Sequence, residues 1–243
     1  MRKYVVVGAV AVALAGAGTA VAVGQQAGPQ TTFTVEAKVS PNRAGTPKRP
    51  QPVRIRASAE FFHVEGVEKP IVTHGYALFP RNGDYNAHLL PRCSKRTLDQ
   101  YGPDRCPKRS RIGAAKASAY ADDIITYPTV EVFNGGPRVA WAYVTMYRPA
   151  LVREAIAARI QELKVGKWKY RVTVRIPRVL QVVAGVPIAP RSIRGWVGRG
   201  KLIVTTSCPR NRRWPFLLKG YFTEGPPHTY RDSVRCKPPR RGR

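Results

Sequence analysis

Acidic side chains and histidine are scarce in this chain, and common catalytic and metal-binding motifs are missing from it. Fourteen Asp and Glu stand against 42 Lys and Arg, and there are four histidines. The absence of Cys-x₂-Cys and His-x₃-His pairs argues against a zinc site. The absence of Gly-x-Ser-x-Gly and Ser-x-x-Lys argues against two frequent serine nucleophiles. The sequence therefore predicts no metal, no cofactor and no small-molecule substrate, and it favours a role other than catalysis.

The scarcity of acidic residues leaves a formal net charge of +28. The electric field of such a charge attracts anionic polymers and surfaces. An ordinary solvated surface, produced by biased codon usage, explains the charge equally well. Basic residues are frequent at 92–111 and from 191 to the end of the chain. The candidate anion-binding residues are Arg92, Lys95, Arg96, Arg105, Lys108, Arg109, Arg111, Arg210, Arg212 and Arg213.

Two cysteine pairs follow an N-terminal segment that has the pattern of an export signal. Basic residues at 2 and 3 precede an uncharged run, 4–22, which ends in the small-x-small sequence Ala20-Val21-Ala22. We expect a signal peptide over 1–24, with cleavage close to Ala20, Ala22 or Gly24. The alternative is an uncleaved anchor, because the run approaches the roughly 20 residues that span a bilayer. Either way, the predicted location is secreted or in the cell envelope.

Export to an oxidising compartment favours disulfides over catalytic or metal-binding thiols. The cysteines are Cys93, Cys106, Cys208 and Cys236. The first two enclose a short polar loop that has little core of its own. Closing that loop covalently removes unfolded-state entropy worth on the order of 3 kcal/mol.

Short apolar runs separated by Pro, Gly and Asn predict an all-β chain. Residues 32–39 alternate strictly between apolar and polar, as in a strand with one buried face. Further strands are predicted at 52–64, 71–79, 112–120, 129–133, 138–147, 168–176, 192–197, 201–206, 214–222 and 228–236. We expect a two-sheet, immunoglobulin-like sandwich of ten or more strands over 25–236, with a disulfide-closed loop insertion and a possible second domain starting near Arg148. Residues 237–243 are predicted to be a disordered basic tail.

Three local patterns refine this picture. Ser94 is expected to cap a short helical turn that Gly102-Pro103 ends. Asn134-Gly135-Gly136-Pro137 predicts a hairpin turn. Residues 150–163 fit both a helix and a strand, and the surrounding strands favour the strand.

The remaining chemically interesting residues have structural explanations. His63 and His74 fall in successive predicted strands and could meet across a hairpin. The doublet Asp122-Asp123 suits a turn, and Gly198-Arg199-Gly200-Lys201 suits a β-turn better than a phosphate-binding loop. The aromatic residues in alternating strands are expected in the core. They are Trp141, Tyr143, Trp168, Tyr170, Trp196 and Trp214.

Taken together, these motifs resemble those of exported, disulfide-containing β-sandwich proteins of actinobacteria. The similar features are the Pro/Lys-rich connection 39–52, the Cys-x₁₂-Cys-Pro loop of Cys93 and Cys106, and the closing Thr-Thr-Ser-Cys-Pro and Trp-Pro-Phe segments around Cys208. The resemblance implies an immunoglobulin-like fold and the pairings Cys93–Cys106 and Cys208–Cys236, which short loops also favour over the two other connectivities. It implies no activity and no catalytic residue.

Three functions follow as hypotheses. The first is an exported structural or binding module whose basic surface is retained on anionic wall polymers or lipid headgroups. The second is an exported carbohydrate-active or other hydrolase on a β scaffold, which needs two carboxylates about 5 to 10 Å apart in a cleft. Its candidate acids are Glu60, Glu65, Glu131, Asp122 and Asp123. The third is extracellular nucleic-acid binding, which the absence of a recognisable binding module disfavours.

Overall fold

The computed structural model describes residues 30–66, 68–163 and 165–239, and these residues form an almost entirely β structure. The strands are β1 Thr31–Ser40, β2 Gln51–Pro52, β3 Arg54–His63, β4 Val72–Pro80, β5 Gly83–Tyr85, β6 Arg111–Ala121, β7 Ile124–Thr126, β8 Thr129–Gly136, β9 Val139–Met146, β10 Val152–Glu162, β11 Trp168–Arg175, β12 Val182–Val183, β13 Val186–Val197, β14 Ile203–Thr205, β15 Arg213–Phe222 and β16 His228–Arg235. The helices are α1 Lys95–Tyr101 and α2 Arg178–Gln181, with 3₁₀ turns at Ala87–Leu89, Pro103–Arg105 and Lys108–Ser110. The predicted signal peptide, with its cleavage region, lies outside the described residues.

Thirteen strands form one antiparallel sheet, here called the main sheet. Its order is β1-β3-β13-β6-β8-β9-β10-β11-β4-β15-β16, with β7 beside β6 and β12 beside β13. The two outermost strands, β1 and β16, lie against each other, so the main sheet is nearly barrel-shaped. A small sheet, β2-β14-β5, is separate. The predicted all-β class and strand number are confirmed, whereas a two-sheet immunoglobulin-like sandwich is not.

Alternation along each strand divides the main sheet into an inner apolar face and an outer polar face. In β1, Phe33 and Val35 are buried, whereas Glu36 and Lys38 are exposed. The strand has a side-chain period of two, so one burial pattern fixes which residues point inward. Burying each large apolar side chain contributes about 1.5 to 3 kcal/mol. The same alternation places charged residues together on the outer face.

The segment that fits both a helix and a strand is a strand. In the structure, β10 pairs with β9 on one side and with β11 on the other. Ladders on both edges satisfy its backbone groups, which overrides the helical composition of 150–163. The short helix α1 also follows the sequence prediction, because Ser94 Oγ accepts a hydrogen bond from Thr97 N–H and Gly102 ends the helix with φ of 76°.

The two disulfides join Cys93 to Cys106 and Cys208 to Cys236, as predicted. Their Cα–Cα distances are 5.4 Å and 5.9 Å, inside the usual range of about 4.4 to 6.8 Å. All four cysteines of the chain are therefore oxidised, which fits an oxidising compartment. Lys237, placed by prediction in a disordered tail, instead pairs with the chain at Arg43, and its amide donates to Asn42 O.

One sequence prediction about histidine is wrong. His63 ends β3, which lies between β1 and β13, whereas His74 is in β4, between β11 and β15. The connection 64–71 is not a hairpin turn, because it joins strands that are far apart in the sheet order. The two histidines therefore do not meet, and neither forms part of a metal-binding group among the described residues.

Asn134 fixes the disulfide-closed segment to the main sheet. Its side chain is fully buried, and its Nδ2 lies 2.9, 3.0 and 3.1 Å from the carbonyl oxygens of Ala87, Leu90 and Pro91. Its Oδ1 accepts from Gly136 N–H at 3.1 Å, and its backbone oxygen accepts from Cys93 N–H at 2.8 Å. A single amide thus satisfies several buried backbone groups that water does not reach.

Replacing this amide should destabilise the protein strongly. We expect Asn134→Ala to lower the free energy of unfolding by about 2 to 4 kcal/mol, because the two N–H groups of Nδ2, shared among three carbonyls, and the acceptor of Gly136 N–H are lost. Urea unfolding followed by circular dichroism measures the change. Asn211→Ala is the matched control: its Oδ1 accepts an exposed hydrogen bond from Arg213 N–H at 3.2 Å, so the variant should cost less than about 1 kcal/mol. Equal stability of the two variants would contradict this account of Asn134.

Two histidines hold the first residues of β1 where the main sheet nearly closes. His228 Nδ1 accepts from Phe33 N–H at 2.9 Å, and the two rings meet edge to face at 4.8 Å. His63 Nδ1 is 3.0 Å from Thr31 Oγ1, and its Nε2 is 2.7 Å from Pro190 O. Burial lowers the pKa of His228. Burial also lowers the pKa of His63, against the hydrogen bond to Pro190, and the charge of Lys69 adds to the lowering.

The protein should therefore lose stability on mild acidification. A histidine whose folded pKa lies below its ordinary value of about 6.5 stabilises the fold above that pH, and the contribution is lost as the pH falls further. Protonated His228 Nδ1 also has no lone pair for Phe33 N–H. Urea midpoints between about pH 5 and pH 8 should fall less for His63→Gln/His228→Gln than for the parent chain. Exposed His88→Gln is the control, and parallel curves for all three proteins would refute the explanation.

Candidate anion-binding groove

An open groove of about 830 Å³ crosses β1, β3, β13, β6 and β8. We call it the basic groove. Its lining residues are Glu36, Lys38, Arg56, Ala57, Ser58, Arg111, Ala114, Ala115, Lys116, Thr129, Val130, Glu131, Arg194, Gly195 and Trp196.

Strand register explains why these residues meet, although they are distant in sequence. Paired positions across the five strands form two rows on the outer face of the main sheet. One row is Lys38, Arg56, Trp196, Ala114 and Glu131; the other is Glu36, Ser58, Arg194, Lys116 and Thr129. All ten share the face opposite to the buried Phe33 and Val35, because strand side chains alternate. Long side chains form the walls, and short ones leave the space between them.

At the floor of the groove, β13 and β6 pack so that two positions have no room for a Cβ atom. A Cβ atom placed on Gly195 would lie 2.6 Å from Ala115 Cβ and 2.7 Å from Ala114 O. A Cβ atom on Gly113 would lie 2.5 Å from Trp196 O. All three distances are shorter than real Cβ contacts, so glycine is required at both positions.

Most of the positive charge in the basic groove is not neutralised by neighbouring acids. Among the described residues, ion pairs link Arg111 Nε to Glu131 Oε1 at 3.0 Å, and none includes Lys38, Arg56, Lys116 or Arg194. All four of these basic side chains are exposed. Five basic side chains and two carboxylates line the groove, so its net charge is +3, and the resulting local positive potential attracts anions.

Trp196 lies at the wall of the basic groove, next to a second depression. The guanidinium carbon of Arg54 is 4.7 Å from the centre of its ring, in cation–π geometry. The second depression, of about 270 Å³, is lined by residues that include Arg54, Gly198 and Gly200, and Arg56 lines both depressions. The Gly198–Lys201 segment is a turn, as predicted, with Leu202 N–H donating to Arg199 O at 3.0 Å. The two depressions thus form a continuous basic surface.

The ten basic residues singled out from the sequence are all exposed, but only Arg111 lines the groove. Lys95 is paired with Asp99 at 2.7 Å and lies 3.6 Å from Glu154; the hydrogen bond to Asp99 raises the pKa of Lys95. Arg96 donates to Gln100. Arg92, Arg105, Lys108 and Arg109 lie in or beside the disulfide-closed segment, and Arg210, Arg212 and Arg213 lie where the chain turns into β15.

Not all of the six aromatic residues predicted to lie in the core are buried there. Tyr143 and Trp214 are 5% exposed and belong to core clusters, and Trp141 packs against the cluster around Tyr143. Trp168 and Tyr170 are half-buried in β11. Trp196 is not a core residue, so the prediction for it is wrong. Trp196 lies two residues after the exposed Arg194 in β13, so both side chains point to the outer face of the main sheet.

Among the five candidate acids and Glu36, no two line the groove at the separation that glycoside hydrolysis requires. Of the five candidate acids, only Glu131 lines the groove, together with Glu36. These two belong to β8 and β1, which are four strand spacings apart, or about 19 Å at about 4.8 Å per spacing. Catalytic carboxylates of glycosidases lie within about 5 to 9.5 Å of each other. Asp122 and Asp123 occupy the tight turn between β6 and β7, with φ of 55° at Asp122.

Comparison of the chain with models of known protein families and with curated proteins finds no match. The resemblance to exported proteins of actinobacteria therefore stays a prediction. In the described ranges, no helix has the length and apolar character needed to cross a membrane.

Proposed function

We propose that this protein is an exported, non-enzymatic binding module that is retained on anionic polymers of the cell envelope through the basic groove. The observation that carries the proposal is the set of four basic side chains in the groove without an acidic partner: Lys38, Arg56, Lys116 and Arg194. The two disulfides support a function in an oxidising compartment.

A polymer suits this surface better than a small anion does. One exposed ion pair contributes only about 0 to 1 kcal/mol, so a single anion gains little from any one of these side chains. The lining crosses five strands, or about 19 Å between the outermost two. A chain with repeated negative charges contacts several cations at once and releases the counterions that surround it.

Nucleic acid is the second candidate ligand, and Trp196 is the observation that favours it. An indole at the wall of a basic groove offers a surface on which a base could stack. Arg54 already lies over that ring, however, and the export signal disfavours an encounter with nucleic acid. A sugar–phosphate or carboxylate polymer of the envelope needs only the charges. Competition by single-stranded DNA against polyphosphate distinguishes the two ligands.

Removing groove charges should weaken polyanion binding. We expect Lys38→Ala/Arg56→Ala/Arg194→Ala to bind fluorescent polyphosphate at least about tenfold more weakly at low salt, because three phosphate contacts are lost. The dependence of log affinity on log salt should also become shallower by about two units. Fluorescence anisotropy over a salt series measures both quantities.

The matched control removes the same charge from a part of the main sheet away from the groove. Arg159→Ala/Lys167→Ala/Arg175→Ala lowers the net charge equally, and these exposed residues lie on or between β10 and β11, at least two strand spacings, or about 10 Å, from β8 at the edge of the groove. At about 0.1 M salt its affinity should stay within about threefold of the parent, because exposed charges beyond a Debye length of about 10 Å are screened. Equal weakening of the two variants would show that binding follows net charge and would refute the groove as the site.

A substitution in the opposite direction should strengthen binding. Glu131→Gln removes the carboxylate that pairs with Arg111 at 3.0 Å, so the groove gains one unpaired cation. We expect polyphosphate affinity to rise by about two- to fivefold at low salt and the gain to vanish at high salt. Glu162→Gln, on β10 outside the groove, is the control. A loss of affinity in Glu131→Gln would mean that the ion pair positions Arg111 for binding.

A further inference from the structure

The exposed large apolar side chains are concentrated at one end of the main sheet. Eight of the twelve in the described part of the chain lie there: Phe62, Val64, Ile124, Ile125, Tyr127, Tyr147, Leu151 and Val179. The other four are Leu89, Tyr101, Val165 and Ile193. Single exposed apolar residues are ordinary on a protein surface, whereas a concentration of them marks an interaction site.

Strand register shows that these residues share one end. Thr31 pairs with His63, Ile188 with Ala121, and Met146 with Val152, so the start of β1 and the β6–β7, β9–β10 and α2 loops all lie on that side. We use the name apolar rim for the six residues on the three loops. They are Ile124, Ile125, Tyr127, Tyr147, Leu151 and Val179.

The loops of the apolar rim are held in place by the structure beneath them. Thr126 Oγ1 donates to Arg148 O at 2.7 Å, which joins the segment before Tyr127 to the segment after Tyr147. Met146 and Leu180 are buried in one core cluster below the rim. Because the loops are fixed by these contacts, the apolar side chains cannot fold back into the core. They therefore stay exposed together at one end of the main sheet.

We propose that the apolar rim docks onto the surface of a phospholipid bilayer. Tyrosine and branched aliphatic residues are the side chains that insert at the boundary between headgroups and acyl chains. Arg148 and Arg178 are exposed on two of the same loops, where they reach headgroup phosphates. Asp122 and Asp123 at the tip of the β6–β7 turn offset this charge, so apolar contact dominates the binding.

The position of the N-terminal segment favours a bilayer as the partner of the apolar rim. Strand β1 begins at the rim end, and the preceding sequence contains the uncharged run 4–22 that is near the length needed to span a membrane. Only eight peptide steps separate Ala22 from Gln30, a reach of about 28 Å at most. Until a signal peptidase cuts the chain, the rim end is therefore held within about 28 Å of the bilayer.

Vesicle flotation tests the proposal. The probes are vesicles of phosphatidylcholine alone and of phosphatidylcholine with phosphatidylglycerol, mixed with protein released by an exporting host and checked by mass for removal of residues 1–24. The parent protein should float with both, and flotation should persist in about 1 M NaCl, because apolar contact is not screened. Tyr147→Ser/Leu151→Ser should weaken partitioning at least about tenfold. The matched control Leu89→Ser/Tyr101→Ser should stay within about twofold of the parent.

A second measurement reports insertion even where the N-terminal run remains attached. Tyr147→Trp should give a blue-shifted emission and quenching by brominated lipid, whereas Tyr101→Trp should give neither. Absence of the shift at Tyr147, or equal flotation of the rim and control variants, overturns the proposal. A parent that does not float but dimerises through Tyr147 and Leu151 would assign the rim to a second copy of the chain instead.

This surface is independent of the basic groove, and the variants separate the two. The rim variant should bind polyphosphate like the parent, and Lys38→Ala/Arg56→Ala/Arg194→Ala should float like the parent at high salt. Loss of polyphosphate binding in the rim variant would instead show a common unfolding defect, which circular dichroism detects.

Discussion

The close approach of β13 to β6 is the constraint on which the functional surface depends. Gly195 and Gly113 leave no room for a Cβ atom, so the two strands meet backbone to backbone at the centre of the groove. That contact joins β1 and β3 on one side to β8 and β9 on the other. It also sets the floor on which Arg56, Arg194 and Lys116 stand. A larger residue at Gly195 would push the strands apart and so distort the groove, even though its side chain would point to the inner face and no charge is touched.

The curled sheet is completed by side chains rather than by a last backbone ladder. The strands β1 and β16 lie against each other, and Phe33 N–H donates to the ring of His228 instead of a strand carbonyl. The buried Asn134 amide similarly binds carbonyls of the segment that leads into the first disulfide, at Ala87, Leu90 and Pro91. At the edge of β1, His228 thus satisfies one backbone amide where the regular pairing stops, and β16 packs against β1 and covers that edge.

The sequence predicted what alternation and turn chemistry determine locally, and little of what depends on pairing between distant strands. The strand of 32–39, the Ser94 cap, the Asn134 hairpin and the two disulfides follow from neighbouring residues, and the structure contains each of them. The strand order does not follow, so His63 and His74 were wrongly placed together. The density of charge along the chain likewise favoured 92–111 as an anion-binding region. Seven basic residues are close in sequence there, but only one of them lines the groove. The sequence signal for the groove is that its residues all occupy polar-face positions of their strands: Lys38, Arg56, Lys116, Arg194 and Trp196. Strand pairing is still needed to bring them together, and the sequence does not reveal it.

The two proposed surfaces make different physical demands on the same basic chain. Charge on the groove acts over about a Debye length and is weakened by salt, so it gathers polymers of many sequences without selecting one. The apolar rim acts only on contact and is unaffected by salt, so it fixes orientation rather than attraction. Because the groove is on the side of the curled sheet and the rim is at its end, a molecule seated on a bilayer by its rim keeps its groove open to the surrounding polymer. A net charge of +28 would by itself draw the protein flat against any anionic surface. An apolar end that prefers the bilayer leaves the basic side free. The strand order alone places the two surfaces on different parts of the molecule, so no additional domain is needed.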